Sequence, residues 1–81
     1  MKLILGKQPR KYLRSVDAPT RAKLGRALDA LGRGQGDVVK LAGHDNEYRY
    51  KIEHYRIIFS YDRAAGAVNV IEINTRGNIS Y

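Results

Sequence analysis

The sequence contains no cysteine. That removes a disulfide framework and any thiolate chemistry. Two histidines without a cysteine do not make a zinc-ligand set. No apolar run approaches the roughly 20 residues that cross a bilayer, so no membrane partner is expected. The apolar part of Met1–Gly6 is too short for a secretory signal, and a soluble, cytoplasmic protein is expected. Gly32, Gly34 and Gly36 are not followed by the Lys-Ser/Thr pair of a phosphate-binding loop, and read instead as a helix stop. There are no repeats, no linker and no low-complexity tract. No cofactor is expected. At 81 residues the chain is a single domain, 1–81, with a modest core.

What is abundant is positive charge. The net formal charge is +7, and it is unevenly placed. Residues 1–33 carry nine Lys/Arg against two Asp; residues 34–81 carry six cations and six acids. A small basic protein favours polyanions, either nucleic acid or an acidic protein.

From Tyr48 to Ile52 aromatic and aliphatic residues alternate with cations, the period of a half-buried strand. Tyr48, Tyr50 and Ile52 share one face; Arg49 and Lys51 share the other. Tyr55 to Tyr61 is rich in β-branched and aromatic residues and reads as a second strand. With Glu53-His54 as the two loop residues, Ile52 faces Tyr55, Lys51 faces Arg56 and Arg49 faces Ile58. Three cations then share one surface. Like charges opposite each other destabilise a sheet, so an anion such as phosphate is expected to compensate them. A solvated outer face with splayed side chains is the plainer alternative. Glu-His is not the Asn-Gly pair that a two-residue turn prefers.

Elsewhere, Lys2 to Leu5 reads as a strand. Arg10 to Val16 reads as a helix after Pro9, with Tyr12, Leu13 and Val16 on one stripe. Asp17-Ala18-Pro19-Thr20 breaks and restarts the helix, since Asp17 or Thr20 can cap it. Thr20 to Arg33 places Leu24, Ala27, Leu28 and Leu31 at helical spacing. Asp37–Leu41 is too short to assign. Val68 to Ile73 is apolar on both faces and reads as a central strand. The expected fold is α+β in two layers, a helical hairpin packed on a small, mainly antiparallel sheet in the order β-α-α-β-β-β.

Four segments, taken in order, resemble the RelE/ParE toxin superfamily: Leu41-Ala42-Gly43, Tyr48-Arg49-Tyr50-Lys51-Ile52, Tyr55-Arg56-Ile57-Ile58-Phe59 and Thr75-Arg76-Gly77-Asn78-Ile79-Ser80-Tyr81. The resemblance spans nearly the whole chain. It implies the toxin half of a toxin–antitoxin module, with a cognate acidic antitoxin as partner. In the RelE branch it further implies an endoribonuclease that cuts mRNA in the ribosomal A site, so ribosome and mRNA become partners. In the ParE branch it implies a DNA gyrase inhibitor without a catalytic constellation. A non-catalytic nucleic-acid or protein binding module is the third reading.

Matched residue by residue, the RelE-branch catalytic positions fall on Arg49, Lys51, Arg56, Arg76 and Tyr81. Family chains often continue past that tyrosine, whereas Tyr81 closes this sequence. RNA carries its own nucleophile, the 2′-OH, so the implied reaction requires no metal. It needs a base, cations for the developing phosphorane charge and an acid for the leaving oxygen. Arg56 and Arg76 suit bidentate phosphate contact. Lys51 can clamp and, beside like charges, can also exchange a proton. A tyrosine among cations becomes more acidic and can act as a base. Each residue also has a structural reading. Arg56 can pair with Glu47 or Glu53, Arg76 can cap the sheet end, and Tyr81 can be a core aromatic. Tyr48, Tyr50 and Phe59 read as core more than as a stacking platform. His44 and His54 are candidate proton carriers, since imidazole is the side chain suited to that role, but a turn position puts His54 away from the sheet centre.

The strongest charge block is Lys7, Arg10, Lys11, Arg14, Arg21, Lys23 and Arg26. It reads as a solvated helix face, as contacts to ribosomal RNA whose affinity falls with salt, or as the groove of an acidic antitoxin that folds on binding.

Overall fold

The computed structural model describes residues 1–43 and 46–80; His44, Asp45 and Tyr81 lie outside the described residues. The chain runs β1 (Lys2–Leu5), α1 (Lys7–Ser15), α2 (Ala18–Gly32), β2 (Asp37–Lys40), β3 (Glu47–Ile52), β4 (Tyr55–Asp62) and β5 (Ala67–Thr75). One sheet has the order β1-β5-β4-β3-β2. Its three hairpin pairs are antiparallel and β1 joins β5 in parallel. The expected α+β class, two layers and helical hairpin are present. The unassigned Asp37–Leu41 segment supplies an additional edge strand, and Val68 to Ile73 lies inside the sheet as expected. No helix among the described residues is long and apolar enough to cross a membrane.

The helices begin and end where local chemistry tells them to. Helix α1 starts at Lys7, two residues before Pro9, whose missing N–H costs nothing in a first turn. Asp17 caps α2: its carboxylate accepts the Thr20 N–H at 2.9 Å. That bond holds the Asp17 carboxyl below its ordinary value of 3.8, first through Thr20 and then through Arg21 and Lys23. Because the folded value is depressed, the cap stabilises the fold above the ordinary value. The benefit is lost as pH falls through the folded one. At the other end Gly34, at φ +73°, lets the Gln35 N–H turn back onto the Ala30 carbonyl at 2.9 Å.

Leu24, Ala27, Leu28 and Leu31 of α2 meet Tyr50, Ile57, Phe59, Val68, Val70 and Ile73 of the sheet. These buried side chains form the core, and Tyr12, Leu13, Tyr48 and Tyr55 pack around them. Both helices therefore cover one face only, and Arg49, Lys51, Arg56 and Ile58 alternate onto the other.

Strand β1 pairs with β5 only as far as Val70, so the second half of β5 has a free edge beside α1. Gln8 closes it. Its Nε2 donates to the Ile73 carbonyl at 2.8 Å, and its Oε1 accepts the Ile73 N–H at 2.9 Å. One carboxamide thus replaces a missing strand. Gln8→Ala is expected to lower stability by about 1–3 kcal/mol, the cost of stranding partly buried backbone groups. Urea unfolding measures it. Gln8→Glu, which lacks the donor, should do no better.

Candidate functional site

The site is built on the β3–β4 hairpin. The period-two pattern places its cations, and the observed register matches the expected one: Ile52 opposite Tyr55, Lys51 opposite Arg56, Arg49 opposite Ile58. The row through Lys51 reads Asp37, Lys51, Arg56, Asn74 across four strands. The next row reads Val39, Arg49, Ile58, Glu72. Each cation-bearing row therefore has an acid at one margin. Sequence reasoning missed Asp37 and Glu72 in this role, because Asp37 sat in an unassigned segment. Glu72 holds the Ser80 N–H at 3.2 Å, which ties the C-terminal segment to the same face.

The turn itself carries the oddity of its sequence. Glu53 takes a left-handed φ of +52°, which costs a non-glycine residue energy. Two contacts offset it. The Glu53 carboxylate pairs with Lys23 of α2 at 3.0 Å. The Glu53 carbonyl accepts from Arg56 Nη1 at 2.8 Å.

The four described catalytic candidates differ in environment. Arg56 is buried, 9% exposed, and its Nη1 also donates to the Tyr55 carbonyl at 2.8 Å. The guanidinium is thus anchored by one nitrogen to the carbonyls of the turn. Lys51 beside it is exposed. Arg49 is half-buried, and its Nε is buried without a hydrogen-bond partner among the described residues. Arg76 follows β5, and its backbone N–H donates to the His54 carbonyl at 2.7 Å. That bond pins residue 76 to the hairpin tip, the same end of the sheet as Lys51 and Arg56. Tyr81 lies outside the described residues, as does His44. The His54 ring packs on Tyr55, with centroids 4.2 Å apart. Tyr55 packs toward the helices, and His54 is exposed at the turn. Tyr12 is pushed above its ordinary value of 10.0, chiefly by burial and then by Tyr55, so its phenol stays protonated at neutral pH.

The helix cations divide. Arg21 donates through Nε to the Leu13 carbonyl and through Nη2 to the Val16 carbonyl, each at 2.8 Å. It thereby satisfies the open end of α1. Lys23 is held by Glu53. Lys7, Arg10, Lys11, Arg14 and Arg26 are exposed. Among the described residues no group of His, Asp and Glu is arranged to hold a metal ion.

No protein-family model matches the sequence, and no curated protein matches it. Solved structures do. The archaeal RelE–RelB complex from Pyrococcus horikoshii OT3 contains a chain 25% identical to this one. The match covers 96% of this chain and 97% of that one, with a TM-score of 0.75. The chain has the fold of the RelE toxins. The isolated E. coli RelE toxin superposes with a TM-score of 0.76 at 20% identity, over 91% of this chain and 82% of that one. The RelB–RelE antitoxin–toxin complex from Methanococcus jannaschii gives 0.72 at 18% identity, over 91% of each chain. At these identities the RelE-type fold is common ground, while individual side chains have to be argued from their own geometry.

Proposed function

We propose that this protein is the toxin of a toxin–antitoxin module and that it cuts messenger RNA on the ribosome. One observation carries the reading. Lys51 and Arg56 are cross-strand partners on the sheet face that the helices leave uncovered, Arg49 is one row along on that face, and the backbone of Arg76 is bonded to the hairpin tip. Nothing in the packing of the core requires several cations there, and their mutual repulsion costs stability. A scissile phosphodiester supplies the missing negative charge.

The reaction follows from the groups present. The 2′ oxygen attacks the adjacent phosphorus, its proton passes to a base, and the bond to the 5′ oxygen breaks. The products are a 2′,3′-cyclic phosphate and a 5′-hydroxyl, which takes a proton from an acid. Arg56, fixed through Nη1, directs its remaining N–H groups at the phosphate without rotamer searching. Lys51 and Arg76 neutralise the charge that builds on the phosphorane oxygens. Tyr81 takes the proton-transfer role that its place in the motif implies. Lys7, Arg10, Lys11, Arg14 and Arg26 are free to contact ribosomal RNA, with Arg21 and Lys23 adding charge beside them. An acidic antitoxin that covers the cation face would silence the site by occupying the place of the phosphate.

Induction of the gene in cells tests the reading. Prompt translation arrest with cut messages is expected, relieved by a small acidic protein encoded beside it. DNA breaks with filamentation would instead identify a gyrase poison, and unaffected growth a non-catalytic binding module.

A further inference from the structure

A second site lies at the other end of the same strands. An open groove of about 620 Å³ is lined by Lys40, Tyr48, Ser60, Tyr61, Arg63 and Asn69. Roughly 17 Å of strand separates Arg56 from Tyr61, and the Tyr48 and Tyr61 rings pack on the helix-side core, away from the cation face. The groove therefore lies at the opposite strand end from Lys51 and Arg56.

Its wall is preorganised. Tyr48 stacks on Phe59 at 5.6 Å between centroids, and Tyr61 meets both rings edge-on at 5.0 and 5.4 Å. Asn46 clamps the strand behind Tyr61: its Nδ2 donates to the Tyr61 carbonyl at 2.6 Å, and its Oδ1 accepts the Tyr61 N–H at 3.4 Å. The polar inventory leans one way. Two cations, three hydroxyls and two amides face a single carboxylate, that of Asp62. That carboxylate already accepts the Ala65 N–H at 3.1 Å. A ligand rich in acceptors and bearing negative charge is what such a surface satisfies. An aromatic wall beside cations adds a face for a flat ring.

We propose that this groove binds one nucleotide of single-stranded RNA, its base against Tyr61 and its phosphate between Lys40 and Arg63. An acidic peptide would use the cations but leave the aromatic wall unused. The inference goes beyond cleavage and does not depend on it, because binding is read on free RNA, off the ribosome.

The test is fluorescence anisotropy of the full chain with a labelled single-stranded oligouridylate. Tyr61→Leu is expected to weaken binding about fivefold or more, the loss of one stacked base. Lys40→Ala and Arg63→Ala, both at exposed positions, should each lower the salt slope by about 0.7. Arg33→Ala, an exposed cation after α2, serves as the charge control and should leave the slope nearly unchanged. An oligomer of the same sugar–phosphate chain without bases should bind like the wild-type RNA binds Tyr61→Leu. The chemistry of that probe keeps the test decisive even where a variant folds poorly. Equal affinity for the abasic and uridylate chains would overturn the proposal. So would groove variants that match the wild type, or an oligoglutamate that needs Lys40 and Arg63 while RNA does not.

Discussion

Alanine at Arg76 is expected to lower ribosome-dependent message cleavage by about 100- to 1,000-fold, the usual cost of removing one preorganised donor to a developing oxyanion. The fold should not notice. Arg76 is exposed, and its tie to the hairpin is a backbone N–H to the His54 carbonyl, which alanine keeps. Lysine at the same position restores the charge but not the two-pronged contact, so it should recover only part of the activity. Arg56 behaves differently. Its Nη1 holds the Glu53 and Tyr55 carbonyls, so Arg56→Ala loosens the turn while it removes the clamp. Cleavage and thermal stability should fall together there, whereas Arg76→Ala separates them. Single-turnover cleavage on programmed ribosomes, beside a melting curve for each variant, distinguishes the two. Undiminished cleavage by Arg76→Ala would take that residue out of the site.

The largest loss of stability is expected at Gly36, just before β2. Its φ is +114°, a backbone conformation that side-chain-bearing residues rarely adopt. A Cβ there would lie 2.5 Å from Cζ of Tyr50 and 2.8 Å from its Oη. Tyr50 is 8% exposed and belongs to the core, so its ring cannot swing aside freely. Backbone strain of about 1–3 kcal/mol and overpacking of about 1–3 kcal/mol act together in Gly36→Ala. A loss of about 2–6 kcal/mol follows, a large fraction of the stability of a small domain. Gly34 is the control: it also has positive φ, +73°, but no atom lies within 4 Å of its Cβ position. Gly34→Ala should cost only about 1 kcal/mol. Urea midpoints for the pair separate steric from conformational cost, and equal losses would contradict the packing of Tyr50 over Gly36.

The hairpin was legible because its physics is local. Alternation of Tyr48, Tyr50 and Ile52 with Arg49 and Lys51 fixes two faces, and a two-residue loop fixes the pairing of Lys51 with Arg56. The leucines of α2 declared their buried stripe for the same reason. What stayed hidden depends on partners far along the chain. Asp37–Lys40 is four residues long and wholly exposed, so nothing in its pattern marks a strand. The unpaired edge of β3 makes it one. Gln8 meets Ile73 across 65 residues of sequence, and no periodicity reports such a contact. For Arg56 the sequence offers a carboxylate, Glu47 or Glu53, only as the alternative to a phosphate. The turn offers carbonyls instead, because Glu53 in a left-handed conformation aims its carbonyl inward and lends its carboxylate to Lys23. Charge counting likewise could not tell Arg21, spent on the end of α1, from the other helix cations around it.

The most direct measurement uses a message with one 2′-deoxy nucleotide placed at the cleavage position of a programmed ribosome. If the cation face acts on an internal nucleophile, the all-ribose message is cut to a 2′,3′-cyclic phosphate and a 5′-hydroxyl, and the substituted message stays whole at that position. Scission of the deoxy-substituted message at the same bond, or no scission of either, would contradict the account.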